Sequence, residues 1–440
     1  MKINFFHWPA LVVAMLAVVG ATASVGAAEV PDPVPGHFIV HEWGTFTSVQ
    51  GGDGRLLPWR PLLSSPLPGF VHNWAVPGLN VSHTSRGLIS KGGLVTLQRM
   101  ETPVIYFYSD KIMAADVSVS FPAGLLTEWY PQPTQIGPAA MPIQTNAAAA
   151  ASDGSLRDSR IVWRHLTLTP ASMAGLQPAA LPPMDPQGPH YFAARETGSD
   201  YVQTDPAGQP DGTNETEKFL FYRGAGSFTT PLLVTVDGQN HTVVANTGTN
   251  PLAHLFLVRV QDGCGAFRPL ASLAAGQSET LAGEAAAGWK RTPLARFQTD
   301  ISAAMVTALT AEGLFEPEAQ AMVHTWQDSW FTEEGTRVLY ILPRSWTDEI
   351  LPLTLAPEPE RLVRVMVGRA ELITPTVQAG LLENLTRAQE GDAAARRAAS
   401  HTFTQLGRFA WPALGLALGD YNTNAVAQLG YSLMLEASRR

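Results

Sequence analysis

The chain has one cysteine, Cys264, in 440 residues, so no internal disulfide can form. A chain of this length buries enough apolar surface to fold without one. Cys264 lies in Asp262-Gly263-Cys264-Gly265, a turn-like setting without the charge-rich surroundings that activate a thiol, and reads as inert. Charge is also scarce: 15% of residues are charged against 45% hydrophobic, which favours folding over disorder. The net charge of −9 provides no broad positive field, which excludes nucleic acid and anionic lipid surfaces as expected partners. Familiar catalytic motifs are missing too. His41-Glu42 has Thr45 where a zinc-protease helix would place its second histidine. There is no Gly-x-Ser-x-Gly elbow, no phosphate-cradling Gly-Lys-Ser/Thr loop and no dinucleotide Gly-x-Gly-x-x-Gly after a strand.

The N-terminus is distinctive. Lys2 is the one charged side chain before Glu29, an apolar run covers Ala10 to Val19, and small residues lead to Val25-Gly26-Ala27-Ala28. A basic start, an apolar core and a small-x-small site read as a secretory signal peptide over 1–28, cleaved after Ala27 or Ala28. The run is shorter than the ~20 residues of a spanning helix, and no later run is long and apolar enough to span. Removing Lys2 takes the net charge from −9 to −10. The mature chain is expected to be soluble and periplasmic or extracellular.

About 410 residues then remain, a length that suits two or three domains. Short β-branched and aromatic runs, such as Ile105-Tyr106-Phe107-Tyr108 and Phe219-Leu220-Phe221-Tyr222, are punctuated by Gly, Pro, Asn and Asp. That pattern predicts an α+β fold with a β-rich, sandwich-like region over about 37–281. Within it, 37–230 reads as a β-rich domain with Pro/Ala-rich insertions, and 231–282 as a small sandwich-like module with a hairpin turning at Asp237-Gly238. Residues 293–374 read as a helix pair plus a strand pair, and 375–440 as a helical tail broken at Gly391-Asp392, Pro412 and Gly419-Asp420. In the second helix Phe315, Ala319, Met322, Val323, Trp326 and Trp330 share one face.

Three carboxylates border predicted strands, Glu42, Glu101 and Glu128, with Trp43, Trp129 and Tyr130 beside them as candidate stacking faces. Two such acids ~5–9 Å apart would suit a glycosidase; strand-end acids paired with arginines are the plainer reading. On a strand, His41 and Glu42 must face opposite ways. Arg223 could clamp a ligand carboxylate or hold Glu101 or Glu196 in a buried pair. Arg344 sits at a strand margin, where binding loops emerge. His324 and Asp328, one helical turn apart, could begin a divalent-metal site if the fold supplied His41 or Glu333 as a third ligand, while a solvated helix face is the plainer reading.

The blocks His41-Glu42-Trp43-Gly44-Thr45-Phe46-Thr47, Glu101 to Tyr108, Thr127-Glu128-Trp129-Tyr130-Pro131 and Phe219 to Gly224 resemble those of a family of exported bacterial proteins of unknown function. The resemblance implies an envelope location and brings no activity, cofactor or catalytic residue. Two functions are therefore expected: an exported protein binding a glycan, peptide or envelope partner, or a secreted hydrolase using two of the three glutamates. A metal-dependent enzyme is a more distant alternative, and the oligomeric state is not encoded in any motif.

Overall fold

The computed structural model describes residues 38–61, 67–73, 95–137, 158–176, 180–186, 188–208, 212, 214–270, 272–281, 290–419 and 425–438. The expected signal peptide 1–28 and the greater part of the Pro/Ala-rich stretch 131–155 lie outside them. Ile39–Gly51 forms strand β1, and all thirteen of its residues are buried. Such a strand cannot sit at an edge or face water on one side. Ten strands build the principal sheet around it. Their spatial order is β16 (Thr292–Pro293), β14 (Cys264–Leu270), β13 (Ala253–Gln261), β17 (Gly335–Ile341), β19 (Arg361–Ile373), β1, β3 (Gln98–Tyr108), β10 (Leu220–Gly226), β5 (Gly124–Tyr130) and β2 (His72–Asn73). The pairing of β1 with β19 is parallel, in register from Ile39↔Arg361 to Gly51↔Ile373.

Two smaller sheets cover one face. The first orders β18 (Leu353–Ala356), β4 (Met113–Phe121), β7 (Ser159–Thr169), β8 (Tyr201–Gln203) and β9 (Thr216–Glu217), with β6 (Gln135–Gly137) also on β7. The second is β11 (Leu232–Val236), β12 (Thr242–Asn246) and β15 (Ser278–Leu281). Val40, Ile105, Phe107 and Tyr222 from the principal sheet share a core with Val117, Val119, Ile161 and Trp163 and with Val234 and Val244. The opposite face meets helices. Trp43, Val104, Phe221 and Val365 pack with Ile301 and Met305 of the Leu294–Ala311 helix and with Met322, Trp326 and Trp330 of the Glu316–Phe331 helix. The α+β architecture is thus a sheet sandwich backed by a helical layer.

The expected 231–282 module divides between sheets. β11, β12 and β15 stay together, whereas β13 and β14 join the principal sheet. Burial explains the split. Leu255 and Leu257 of β13 enter the sandwich core, while Phe256, Val258 and Val260 enter the helix-side core, so this strand needs cover on both faces. Strands from three of the expected segments therefore hydrogen-bond in one sheet.

β19 runs straight into the C-terminal helices Pro375–Gln389, Ala393–Leu406, Ala410–Leu418 and Ala425–Ala437, which share a core of Leu381, Leu385, Phe403, Leu414 and Leu433. Thr374 caps the first, its hydroxyl accepting from Val377 N at 3.3 Å, and Asp392 caps the second, accepting from Ala394 N and Ala395 N at 2.8 and 3.0 Å. The break expected at Pro412 falls instead at Gly407, whose φ of +51° ends the second helix. Pro412 lies in the first turn of the next helix, where no intrahelical N–H is needed.

Candidate functional site

β1 sends its two ionisable neighbours to opposite faces. His41 lies under the Glu316–Phe331 helix, its Nδ1 donating to Glu318 Oε2 at 2.7 Å. The same carboxylate accepts from Tyr108 OH at 2.7 Å and from Phe315 N at 2.8 Å. Glu42 faces the sandwich core. Tyr222 OH donates to its Oε1, and Arg364 Nε donates to its Oε2 at 2.6 Å. Arg364 also donates to Asp348 Oδ1 and Leu351 O. Burial works against its charge, but the Glu42 carboxylate raises its pKa above the usual arginine value.

The helix face carries a larger polar layer. β3 is bulged opposite Trp43 to Thr45, with Thr102 at φ +43°, and Gly44 makes room: a Cβ there would lie 2.9 Å from Pro103 Cα and 3.0 Å from Met366 Sδ. A register shift between Arg223 and Gly224 likewise marks the β10–β5 pairing. Around these irregularities Glu101 accepts from Thr47 Oγ1 at 2.9 Å and from Arg408 Nη1 at 2.8 Å, with Arg99 Nε 3.2 Å away. Glu128 accepts from Thr127 and lies 3.8 Å from Arg223 Nε. Toward β19 the layer continues: Arg369 donates to Glu371 Oε2 through Nε and Nη2 (3.0 and 2.7 Å), to Glu333 Oε2 at 2.7 Å and to Ser329 Oγ at 2.8 Å. Arg337 Nε stands 3.1 Å from Glu371 Oε2. Burial, the largest influence, pulls the Arg337 guanidinium down to about 10 against the attraction of Glu371. Glu333 goes the other way: burial disfavours its charge, yet Arg408, Arg369 and Arg337 together hold its carboxyl at about 2.

Next to this layer lies a cavity of about 640 Å³. Its wall includes Glu371, Leu372 and Ile373 of β19, Leu257 and Val260 of β13, the β11–β12 hairpin tip (Gln239, Asn240, His241), and Thr376, Thr402 and Gln405 from the C-terminal helices. Gly335, with φ +133°, forms part of the wall; a Cβ there would lie 2.6 Å from Glu371 Oε1, so glycine leaves that oxygen uncovered by a side chain at this position. Asp237 Oδ1 accepts from Gln239 N and His241 N, both at 2.8 Å, and its Oδ2 lies 3.0 Å from His241 Nδ1, which fixes the hairpin tip. The size falls within the range of ligand pockets.

The structure sorts the sequence-based candidates. Glu101, Glu128 and Arg223 come together on the helix face, while Glu42 is separated from them by the sheet itself. Glu42 therefore cannot form a catalytic pair with either. Glu101 and Glu128 are 1% and 3% exposed and each contacts an arginine, so they are ion-pair partners. Arg223 holds Glu128 rather than Glu101 or Glu196, because the β10–β5 register sets Arg223 opposite Glu128. Trp43, Trp129 and Tyr130 are core residues: Trp43 packs on Tyr106, Trp129 joins the sandwich core, and Tyr130 packs edge-on to Phe70 at 4.9 Å. Arg344 forms an i,i+4 pair with Asp348 and donates to Leu362 O. His324 binds Glu196 at 2.9 Å on the protein surface, whereas His41 is buried against Glu318. Among the described residues no three His, Cys, Asp or Glu side chains converge as a metal site. Sequence reasoning placed Arg369 at a strand margin rather than in a buried layer, and missed Arg99, Arg337, Arg408 and the cavity.

One buried acid outside both sites has a titration that can be measured. Burial, the dominant influence, raises the Asp200 carboxyl from 3.8 to about 6, against the Ser109 hydroxyl at 2.6 Å and the Lys218 charge. A raised carboxyl contributes stability that is complete below the unfolded value near 3.8 and lost as pH climbs through 6. Asp200→Asn keeps an acceptor for Ser109. It is expected to stabilise the fold at pH 8 by about 1–2 kcal/mol, with the gain vanishing below pH 4. Urea titrations at the two pH values check this.

No family model and no curated protein matches the chain. Solved structures with similarity include the Fcho1 Mu homology domain of Danio rerio with bound Eps15 peptide, at 8% identity and a TM-score of 0.25, covering 77% of this chain and 97% of that one. The yeast delta-COP-I mu-homology domain complexed with a Dsl1 WxWxV peptide gives 8% identity and a TM-score of 0.25, covering 78% and 98%. Another structure of the yeast delta-COP-I mu-homology domain gives a TM-score of 0.24. Scores this low carry no argument about fold or function. Among the described residues no helix is long and apolar enough to cross a membrane.

Proposed function

We propose that the chain is an exported binding protein that takes a short peptide segment in the cavity between the β11–β12 hairpin, β13, β19 and the C-terminal helices. One observation carries this reading: the cavity is lined by side-chain amides and hydroxyls over aliphatic residues, with Arg259, Glu334, Glu371 and His241 among them and no Phe, Tyr or Trp. Amides such as Gln239, Asn240 and Gln261 both donate and accept, as a peptide main chain requires. A sugar site would draw on aromatic faces, and the candidate rings Trp43, Trp129 and Tyr130 are all core residues instead. The hydrolase reading is weaker because its acids are sealed and ion-paired. Export rests on the basic, apolar and small-residue order of residues 1–28.

A random-peptide display selection on the mature chain tests the reading. Enriched peptides are expected to bind in fluorescence anisotropy and to lose at least tenfold in affinity with Thr402→Trp, a half-buried wall residue. Selection that enriches nothing, or peptides that bind Thr402→Trp equally well, would reject it. Recovery of the protein from the producing cells with residues 1–28 intact and in the cytosol would reject export.

A further inference from the structure

We propose that the peptide taken by the cavity carries a lysine or arginine side chain whose cationic head is received by Glu334, an inference that rests on the peptide-binding reading above. Glu334 is half-buried and stands next to Gly335 in the cavity wall. Two neutral donors hold its carboxylate: Asp262 N donates to Oε1 at 3.2 Å, and Gln405 Nε2 donates to Oε2 at 2.6 Å. Among the described residues no lysine, arginine or histidine pairs with it. The two contacts fix where the carboxylate sits, and neither cancels its charge. An ionised carboxyl offers about four acceptor sites, so two remain for a donor on a ligand.

The other charged residues of the wall are already engaged. Glu371 is paired with Arg337 at 3.1 Å and with Arg369 at 2.7 Å. His241 Nδ1 lies 3.0 Å from Asp237 Oδ2, and Arg259 Nη2 donates to Gln261 Oε1 at 3.2 Å. Glu334 also differs from its neighbour Glu333, which Arg369 holds at 2.7 Å and which is no part of the wall. The surroundings suit the stem of a basic residue as well as its head. Leu257, Leu372, Ile373 and Val377 give the cavity an aliphatic side. Methylenes can pack there while the charged end reaches a half-buried acid. A hydrogen bond from a cation to that acid is stronger than one between neutral groups. The chain's net charge of −9 adds a long-range attraction for a cationic peptide.

The test uses fluorescein-labelled, C-terminally amidated heptapeptide pools, randomised over uncharged residues around a central lysine, norleucine or glutamate. In fluorescence anisotropy on the mature chain the lysine pool is expected to bind about tenfold more tightly than the norleucine pool, with the glutamate pool weakest. Glu334→Gln keeps the volume and removes the charge. It should bring the lysine pool down to the norleucine level and leave norleucine binding unchanged. If that variant does not fold, Glu334→Ala takes its place with the same expected result. Lysine and norleucine pools that bind equally, or a lysine preference that survives the loss of the Glu334 carboxylate, overturn the proposal and leave the peptide reading standing. Binding by none of the pools overturns the peptide reading and this proposal with it.

Discussion

Arg369→Met is expected to lower the unfolding free energy by about 3–5 kcal/mol, measured by urea titration at pH 7. Arg369 is 1% exposed and ties β19 to Glu371 on its own strand, to Glu333 and to Ser329 at the end of the Glu316–Phe331 helix. Methionine fills most of the same volume, so the loss is that of charge pairing and not of packing. Among the described residues Glu371 would keep Arg337, and Glu333 the 3.6 Å contact with Arg408. The guanidinium of Arg369 also lies over the Phe409 ring at 5.0 Å, a contact that the thioether would partly replace. A loss below 1 kcal/mol would mean that the layer is hydrated in solution and contributes little to the fold.

Glu42→Leu is expected to cost a similar ~3–5 kcal/mol, because it strands the Arg364 guanidinium and the Tyr222 hydroxyl in the sandwich core. The informative measurement is a double-mutant cycle. With Arg364→Met added, much of the loss should return, since replacing both members of a buried pair with apolar groups is often close to neutral. Tyr222→Phe in the same background should recover more by removing the last orphan. A double mutant as unstable as the sum of the singles would show that Arg364 acts chiefly through Asp348 and Leu351 O, independently of Glu42.

Local structure was legible where periodicity is strong. The apolar stripe from Phe315 to Trp330 buries as its spacing requires, and the opposite orientations of His41 and Glu42 follow from the two-residue period of a strand. The Asp237-Gly238 hairpin was visible in its turn residues. Long-range pairing was not, because nothing in residues 39–51 names residues 361–373 as their neighbour. The arginine layer did leave a trace. Arg99-Met100-Glu101 and Arg369-Ala370-Glu371 are both Arg-x-Glu on strands, and alternate residues share a face. Two such pairs in otherwise apolar strands signal buried ion pairs, whereas a reading centred on carboxylates beside aromatics selects the wrong partners. The cavity could not be read at all: its wall comes from a hairpin tip, three strands and two helices that only the tertiary fold assembles.

Joining β1 to β19 has a consequence for how the chain reaches this structure. The strand at the centre of the principal sheet is the first described one, and its parallel neighbour is 322 residues further along. During synthesis, residues 39–51 must wait for almost the whole polypeptide before one of their two edges is satisfied, a demand on loop closure that makes folding slow. A fragment ending before residue 361 lacks that neighbour and leaves apolar residues such as Val40 and Trp43 incompletely covered, an invitation to aggregation. The same delay keeps the nascent chain threadable until its last strand has emerged.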